Sequence, residues 1–92
     1  MKKIKIRYWH IINKKTKKNN EELILQGNTF NDLLNLLVEK YGKGIKEYFL
    51  TSNGKHLSSN IIVFINNKLV RDLKFELKDG DEIIIMPNID GG

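Results

Sequence analysis

The sequence predicts an α+β domain in which one mixed β-sheet packs on one main helix. Apolar residues alternate in stretches near both ends of the chain, which indicates strands. Between them lies one apolar stripe at helical spacing. The 92 residues show no second composition regime, so they correspond to a single domain. The predicted order is β-β-α-β-β-β, and the helix is expected to cover one sheet face and leave the other open.

The first two elements are predicted to form a hairpin. In "KIKIRYWHII", Ile4, Ile6 and Tyr8 share one face of a strand. Trp9 and Ile11 lie on the other face of the same strand. The polar stretch "NKKTKKNN" predicts the turn, and "EELILQ" predicts the second strand.

The main helix is predicted over "FNDLLNLLVEKY". Its apolar residues follow an i, i+3, i+4, i+7 pattern: Phe30, Leu33, Leu34, Leu37, Val38 and Tyr41. Thr29 is expected to cap its start with help from Asp32, and Gly42 or Gly44 is expected to end it. In the segment 45–60, "IKEYFL" is expected to form a short helix and "TSNGKHLSS" a loop.

The last third of the chain is predicted to complete the sheet. "IIVFI" is a buried strand, "NN" turns it into "KLV", and "RDLKFELKDGD" connects this hairpin to the final strand "DEIIIMP". The first and last strands are expected to be parallel neighbours in the middle of the sheet. We therefore divide the chain into a domain, residues 1–86, and a flexible tail, residues 87–92.

Composition narrows the function classes. The chain has no cysteine, so it has neither a disulfide nor a thiol nucleophile, and no apolar run approaches the length of a membrane span. The basic start alternates and does not resemble a signal peptide, so we expect a cytoplasmic protein. His10 and His56 lie far apart with no acidic or cysteine cluster nearby, and no metal site is predicted.

The net charge of +5 raises the question of a nucleic-acid partner. Four lysines lie within residues 14–18 of the first hairpin turn. No aromatic residue is interleaved with them, which favours a solvated turn over an RNA contact. A nucleic-acid-binding module nevertheless stays open as an alternative function of another class.

The stretch "LKDGDEIIIMPNIDGG" resembles the C-terminal signature of the MoaD/ThiS sulfur carriers, which have a ubiquitin-like β-grasp fold. "VFINNKLVRDL" is similar to a hairpin of the same family. In its length and its insertion at residues 45–60, the chain looks closer to the molybdopterin synthase small subunit and the small archaeal modifier proteins than to the shorter thiamine carriers. It departs from the family pattern at Asn88, where a second proline is usual, and at Ile89, where valine is usual.

The resemblance implies that the chain is a carrier and not itself an enzyme. An E1-like enzyme would adenylate the carboxylate of Gly92 with ATP, and a sulfur donor would convert it to a thiocarboxylate, with molybdopterin synthesis as the favoured pathway. Gly91 and Gly92 lack a Cβ and can enter a narrow channel. Pro87 is expected to end the strand ladder, and Ile89 to anchor the tail in a groove. The alternative within this class is a protein modifier joined through Gly92 to target lysines.

The open sheet face is expected to dock the partner, either the activating enzyme or the large subunit of the synthase. An apolar patch on an open sheet typically marks a docking site. The residues predicted for this role are Trp9, Ile11, Phe64, Ile84 and Met86. The alternative is that the segment 45–60 folds over this face and buries it.

Overall fold

The computed structural model describes residues 1–8 and 20–88. Its strands are β1 (Lys2–Tyr8), β2 (Asn20–Leu25), β3 (Ile61–Ile65), β4 (Lys68–Leu69) and β5 (Glu82–Pro87). Its helices are α1 (Phe30–Tyr41) and α2 (Lys43–Phe49). The predicted order of elements is confirmed, and the short helix expected within "IKEYFL" is α2.

The five strands form one mixed sheet in the order β2-β1-β5-β3-β4. β1 is antiparallel to β2 and parallel to β5, whereas β3 is antiparallel to both β4 and β5. Lys5 lies opposite Glu82, and Tyr8 lies opposite Ile85. The first and last strands are therefore adjacent at the centre of the sheet, as predicted.

Helix α1 begins and ends at the predicted residues. The Thr29 hydroxyl accepts a hydrogen bond from the Asp32 amide at 3.2 Å, and the Asp32 carboxylate accepts one from the Thr29 amide at 3.1 Å. This reciprocal pair is a capping box. Backbone hydrogen bonds from Asn28 and Thr29 lower the pKa of Asp32. At the other end Gly42 has a φ of 92°, and its amide donates to the Val38 carbonyl at 2.8 Å.

The core lies between the two helices and one face of the sheet. The buried residues of the helices are Phe30, Leu33, Leu34, Leu37, Ile45 and Phe49. Those of the three central strands are Ile4, Ile6, Tyr8, Ile61, Val63, Ile65, Ile83 and Ile85. Because side chains alternate along a strand, the intervening residues of these strands lie on the opposite, open face.

The segment 45–60 does not bury the open face. Ile45, Phe49 and Leu57 are buried within the core cluster on the helix side. Phe64 and Ile84, on the open face, remain half-buried. Within the described ranges, neither helix is long and apolar enough to cross a bilayer.

Candidate functional site

Pro87 is the residue predicted to end the strand ladder, and β5 ends there, with Pro87 opposite Ile61. At the next pair, the Asn88 amide donates to the Asn60 carbonyl at 2.8 Å. Hydrogen-bonded and non-hydrogen-bonded pairs alternate in an antiparallel ladder. Pro87 thus occupies a position where β3 needs no N–H from it. The hydrogen bond of Asn88 lies one residue beyond the last pair of the ladder.

The remaining tail residues that were singled out, Ile89, Gly91 and Gly92, lie outside the described residues. Their roles in anchoring and reaction stay predictions. The structure does describe the two residues that precede Ile89. Pro87 and Asn88 are both half-buried, and the Asn88 side chain donates to the Ser59 carbonyl at 3.1 Å.

An apolar patch lies on the open sheet face, and it includes every described residue of the predicted docking site. Phe64 and Ile84 are cross-strand partners, as are Ile62 and Met86. All four side chains are half-buried. Trp9 and Ile11 lie outside the described residues, so their part in this surface stays a prediction.

Leu69 belongs to the same patch, although it was not predicted there. It pairs with Phe64 across β3 and β4 and is 58% exposed. Directly opposed residues of an antiparallel pair point to the same face. The two-residue turn "NN", which fixes this register, was the signal that could have identified it. We call Ile62, Phe64, Leu69, Ile84 and Met86 the open-face patch.

Charged residues flank the open-face patch. Arg7 lies opposite Ile84, and Lys5 lies between Glu22 of β2 and Glu82 of β5. A depression of about 460 Å³ opens beside Ile84 among these side chains. An apolar centre with a polar border is the usual arrangement of a protein–protein interface.

The Asp-Gly-Asp-Glu motif has a structural role at the start of β5. The Asp79 carboxylate accepts a hydrogen bond from the Lys3 amide at 2.7 Å. Gly80, with a φ of 90°, donates its amide to the Lys3 carbonyl at 2.8 Å. A positive φ favours glycine because it has no Cβ. The motif therefore joins the start of β5 to the start of β1.

The most perturbed titratable groups surround Glu21, on the helix side of the sheet. Its carboxylate accepts hydrogen bonds from the hydroxyls of Tyr8, at 2.7 Å, and Tyr41, and from Lys40 at 2.6 Å. Burial alone would raise the pKa of Glu21, but the hydrogen bonds from Lys40, Tyr41 and Tyr8 outweigh it and lower this pKa. Burial and the Glu21 carboxylate raise the pKa of Tyr41 to about 12 and that of Tyr8 further. All these groups connect α1 to the sheet.

No group of His, Cys, Asp and Glu side chains within residues 1–8 and 20–88 could hold a metal ion. His56 is exposed, and His10 lies outside the described ranges. The candidate site among the described residues is therefore the open-face patch with its charged border, beside the base of the C-terminal tail.

Known proteins share the fold of this chain. The model of the ThiS family matches residues 6–92. None of the curated proteins matches this sequence significantly. Among solved structures, the small archaeal modifier protein 1 (SAMP1) from Methanosarcina acetivorans is 27% identical, with a TM-score of 0.77, and the match covers 100% of this chain and 98% of that one.

Two further similar structures are chains of protein–protein complexes. One is the BexX/CysO complex of Amycolatopsis orientalis, at 24% identity and a TM-score of 0.78, covering 97% of this chain and 99% of that chain. The other is the complex of subunits 1 and 2 of molybdopterin-converting factor from Helicobacter pylori 26695. It has 23% identity and a TM-score of 0.61, and the match covers 98% of this chain and 99% of that chain. At these identities the two likenesses establish the fold alone.

Proposed function

Because the chain belongs to the ThiS family, we propose that it is a ubiquitin-like sulfur carrier that reacts through the carboxylate of Gly92. An E1-like enzyme transfers AMP from ATP to this carboxylate and releases pyrophosphate. A sulfur donor then displaces AMP and leaves a thiocarboxylate. The observation that carries the proposal is the family match, which extends from residue 6 through Gly92.

We place the carrier in molybdopterin synthesis, where a larger synthase subunit would receive the sulfur. The likeness to a chain of the complex of subunits 1 and 2 of molybdopterin-converting factor supports this choice. In this role the protein supplies a reactive end to its partner and is not itself an enzyme. Since adenylation consumes ATP and the chain has no cysteine to oxidise, we assign it to the cytoplasm.

The partner is proposed to dock on the open-face patch. Two features support this: the half-buried apolar side chains of β3 and β5 with the exposed Leu69 of β4, and the charged border formed by Lys5, Arg7 and Glu82. The patch includes Met86, which immediately precedes Pro87 and the tail. A partner bound there would therefore have the C-terminal segment within reach.

A second candidate function is protein modification through Gly92. The 27% identity to the small archaeal modifier protein 1 supports it. Both functions share the adenylation step. They differ in whether sulfur or the amine of a target lysine finally attacks the activated carboxyl group.

Intact mass spectrometry tests the shared step. The full chain is incubated with an E1-like activating enzyme, ATP and sulfide as the sulfur donor. We expect a product whose mass corresponds to replacement of one oxygen by sulfur. A variant lacking Gly91 and Gly92 should gain neither the adenylate nor sulfur, although it should remain folded. Sulfur incorporation into the truncated variant, or support of the pathway by it in cells, would overturn the proposal in favour of a plain binding module.

Peptide mapping separates the two candidate functions. Trypsin cleaves after Lys78, and no later lysine or arginine precedes Gly92. A target lysine modified by this chain would therefore carry residues 79–92 as a branch after digestion. Branched peptides from cells that express the chain would establish the modifier role. Thiocarboxylate without branched peptides would establish the carrier role.

A further inference from the structure

Arg71 organises the loop that precedes β3. Its guanidinium donates to the carbonyls of Leu57 at 3.0 Å, Ser58 at 3.2 Å and Ile61 at 3.3 Å. The planar fork of an arginine can hold several acceptors in a fixed relative geometry, which a lysine ammonium cannot do. Arg71 thus connects the loop 57–61 to the segment between β4 and β5.

Asn88 also binds the loop 57–61. Its amide donates to the Asn60 carbonyl at 2.8 Å, and its side-chain Nδ2 donates to the Ser59 carbonyl at 3.1 Å. Among the described residues, each of the five consecutive carbonyls of residues 57–61 thus accepts a hydrogen bond from Arg71 or Asn88, and the Ser58 carbonyl also accepts one from the Ile61 amide. We call Arg71, Asn88 and the loop 57–61 the tail anchor.

We propose that Asn88 and Arg71 are positioning residues, which set the direction in which the C-terminal segment leaves the domain. This inference rests on the proposed function at Gly92. Asn88 is the last described residue before the C-terminal segment. Its two hydrogen bonds to the loop 57–61 fix the point from which that segment leaves the domain.

The geometry explains why direction at Asn88 matters. Four residues separate Asn88 from the end of Gly92, and an extended chain advances at most about 3.5 Å per residue. The carboxylate can therefore reach no further than about 14 Å from Asn88. When the domain is docked through the open-face patch, the carboxylate of Gly92 can reach the partner's reaction centre only if the segment after Asn88 points toward that centre. Fixing the departure point reduces the conformational freedom that binding must remove.

Backbone relaxation of the free protein tests the anchor without any enzyme. The variant Asn88→Ala removes the Nδ2 donor and keeps the backbone N–H. We expect lower ¹⁵N order parameters at the amides of Ile89 and Asp90 in this variant than in the unsubstituted chain. The matched control is Asn53→Ala, because the Asn53 side chain also bonds within a loop, to Thr51 and Lys55. Unchanged order parameters in Asn88→Ala would overturn the proposal.

Kinetics with the activating enzyme test the functional consequence. Loss of one net hydrogen bond corresponds to a roughly three- to tenfold change in an equilibrium constant. We expect Asn88→Ala to raise KM for the carrier by about this factor with kcat nearly unchanged, because the bound tail no longer depends on the anchor. Arg71→Lys should shift KM in the same direction, and Asn53→Ala should leave it unchanged.

The two experiments fail in distinguishable ways. If the unsubstituted chain is never adenylated, the proposed function is wrong, and the order parameters alone decide whether Asn88 orients the tail. If the unsubstituted chain is adenylated but Asn88→Ala shows an unchanged KM, the proposed function stands and the positioning role is wrong. A fall in kcat at constant KM would also contradict the role, because it indicates an effect on the chemical step.

Discussion

Glu21 joins three side chains from two other elements at a single carboxylate. Tyr8 reaches it from β1, and Lys40 and Tyr41 reach it from α1. The Glu21 side chain is only 5% exposed. Charged groups at such a position are stabilising only when their hydrogen bonds are complete, because burial of an unpaired charge is costly.

We predict that Glu21→Gln lowers the free energy of unfolding by about 2 kcal/mol, since charge-assisted hydrogen bonds are replaced by neutral ones. Urea denaturation at neutral pH measures this difference. Glu22→Gln is the matched control, because Glu22 is the next residue of β2 and is exposed on the open face. A cost for Glu22→Gln equal to that for Glu21→Gln would show that net charge, and not this cluster, is responsible.

The stabilisation that Glu21 provides is predicted to depend on pH. The pKa of Glu21 in the folded protein is below its usual value of 4.5. The stabilisation by the ionised carboxylate is therefore complete above that value and is lost as the pH falls through the lower folded pKa. The difference in unfolding free energy between the unsubstituted chain and Glu21→Gln should be constant from about pH 6 to 7, because a glutamate is fully ionised there. It should shrink below about pH 4. A difference that grows in acid would contradict the assignment.

At the scale of elements, Asp81 connects the β3–β4 turn to the start of β5. It is 8% exposed, and its carboxylate accepts from the Asn66 side chain at 2.8 Å and from the Lys78 amide at 2.7 Å. The Asn66 side chain in turn accepts from the Glu82 amide at 3.0 Å. Asn66 and Asn67 both have positive φ, which is typical of a two-residue hairpin turn. One carboxylate thus fixes two turns relative to each other.

We predict that Asp81→Ala lowers the free energy of unfolding by about 2 kcal/mol, because the Asn66 side chain and the Lys78 amide both lose a charged acceptor in partly buried hydrogen bonds. Asp72→Ala is the control, since Asp72 also accepts from a backbone amide, that of Lys74 at 2.9 Å, but is exposed. It should cost less than about 1 kcal/mol. Thermal unfolding of both variants under the same conditions checks the comparison, and equal costs would contradict the role of burial.

For the open-face patch, we predict that Ile84→Ala weakens binding to the activating enzyme at least tenfold, as expected for a central interface residue. Ile24→Ala is the matched control. Ile24 also lies on the open face and is 51% exposed, but it belongs to the edge strand β2, away from the patch. Calorimetric titration with the enzyme gives both affinities. Equal losses in the two variants would contradict docking through the patch.

Sequence pattern predicts most of these elements because their signals are local. The spacing from Phe30 to Tyr41 defines α1, and Thr29 with Asp32 marks its start within four residues. The register that places Pro87 opposite Ile61 could not be predicted, because no local pattern contains it. The partners of Glu21 were missed for the same reason, since they come from β1 and the end of α1. Leu69 required the exact pairing of β3 with β4.

At the scale of the molecule, the described core lies entirely between Ile4 and Ile85. We therefore predict that removing residues 89–92 changes the free energy of unfolding by less than about 0.5 kcal/mol. Guanidinium denaturation followed by circular dichroism measures it. The contrasting variant, which lacks residues 82–92, should not fold at all. A large loss of stability on removing only the last four residues would show that they belong to the core.

The central pairing of β1 with β5 has a consequence for how the chain folds. Lys5 and Glu82 are neighbours in space but lie near opposite ends of the chain. A pairing of such high contact order forms slowly, because the entropy of closing a long loop must be overcome first. Until β5 inserts, β1 and β3 both expose an unpaired edge, which is prone to aggregation. A nascent or cleaved chain without β5 therefore cannot present a folded open-face patch, so the proposed docking surface forms only in chains that have retained their last strand.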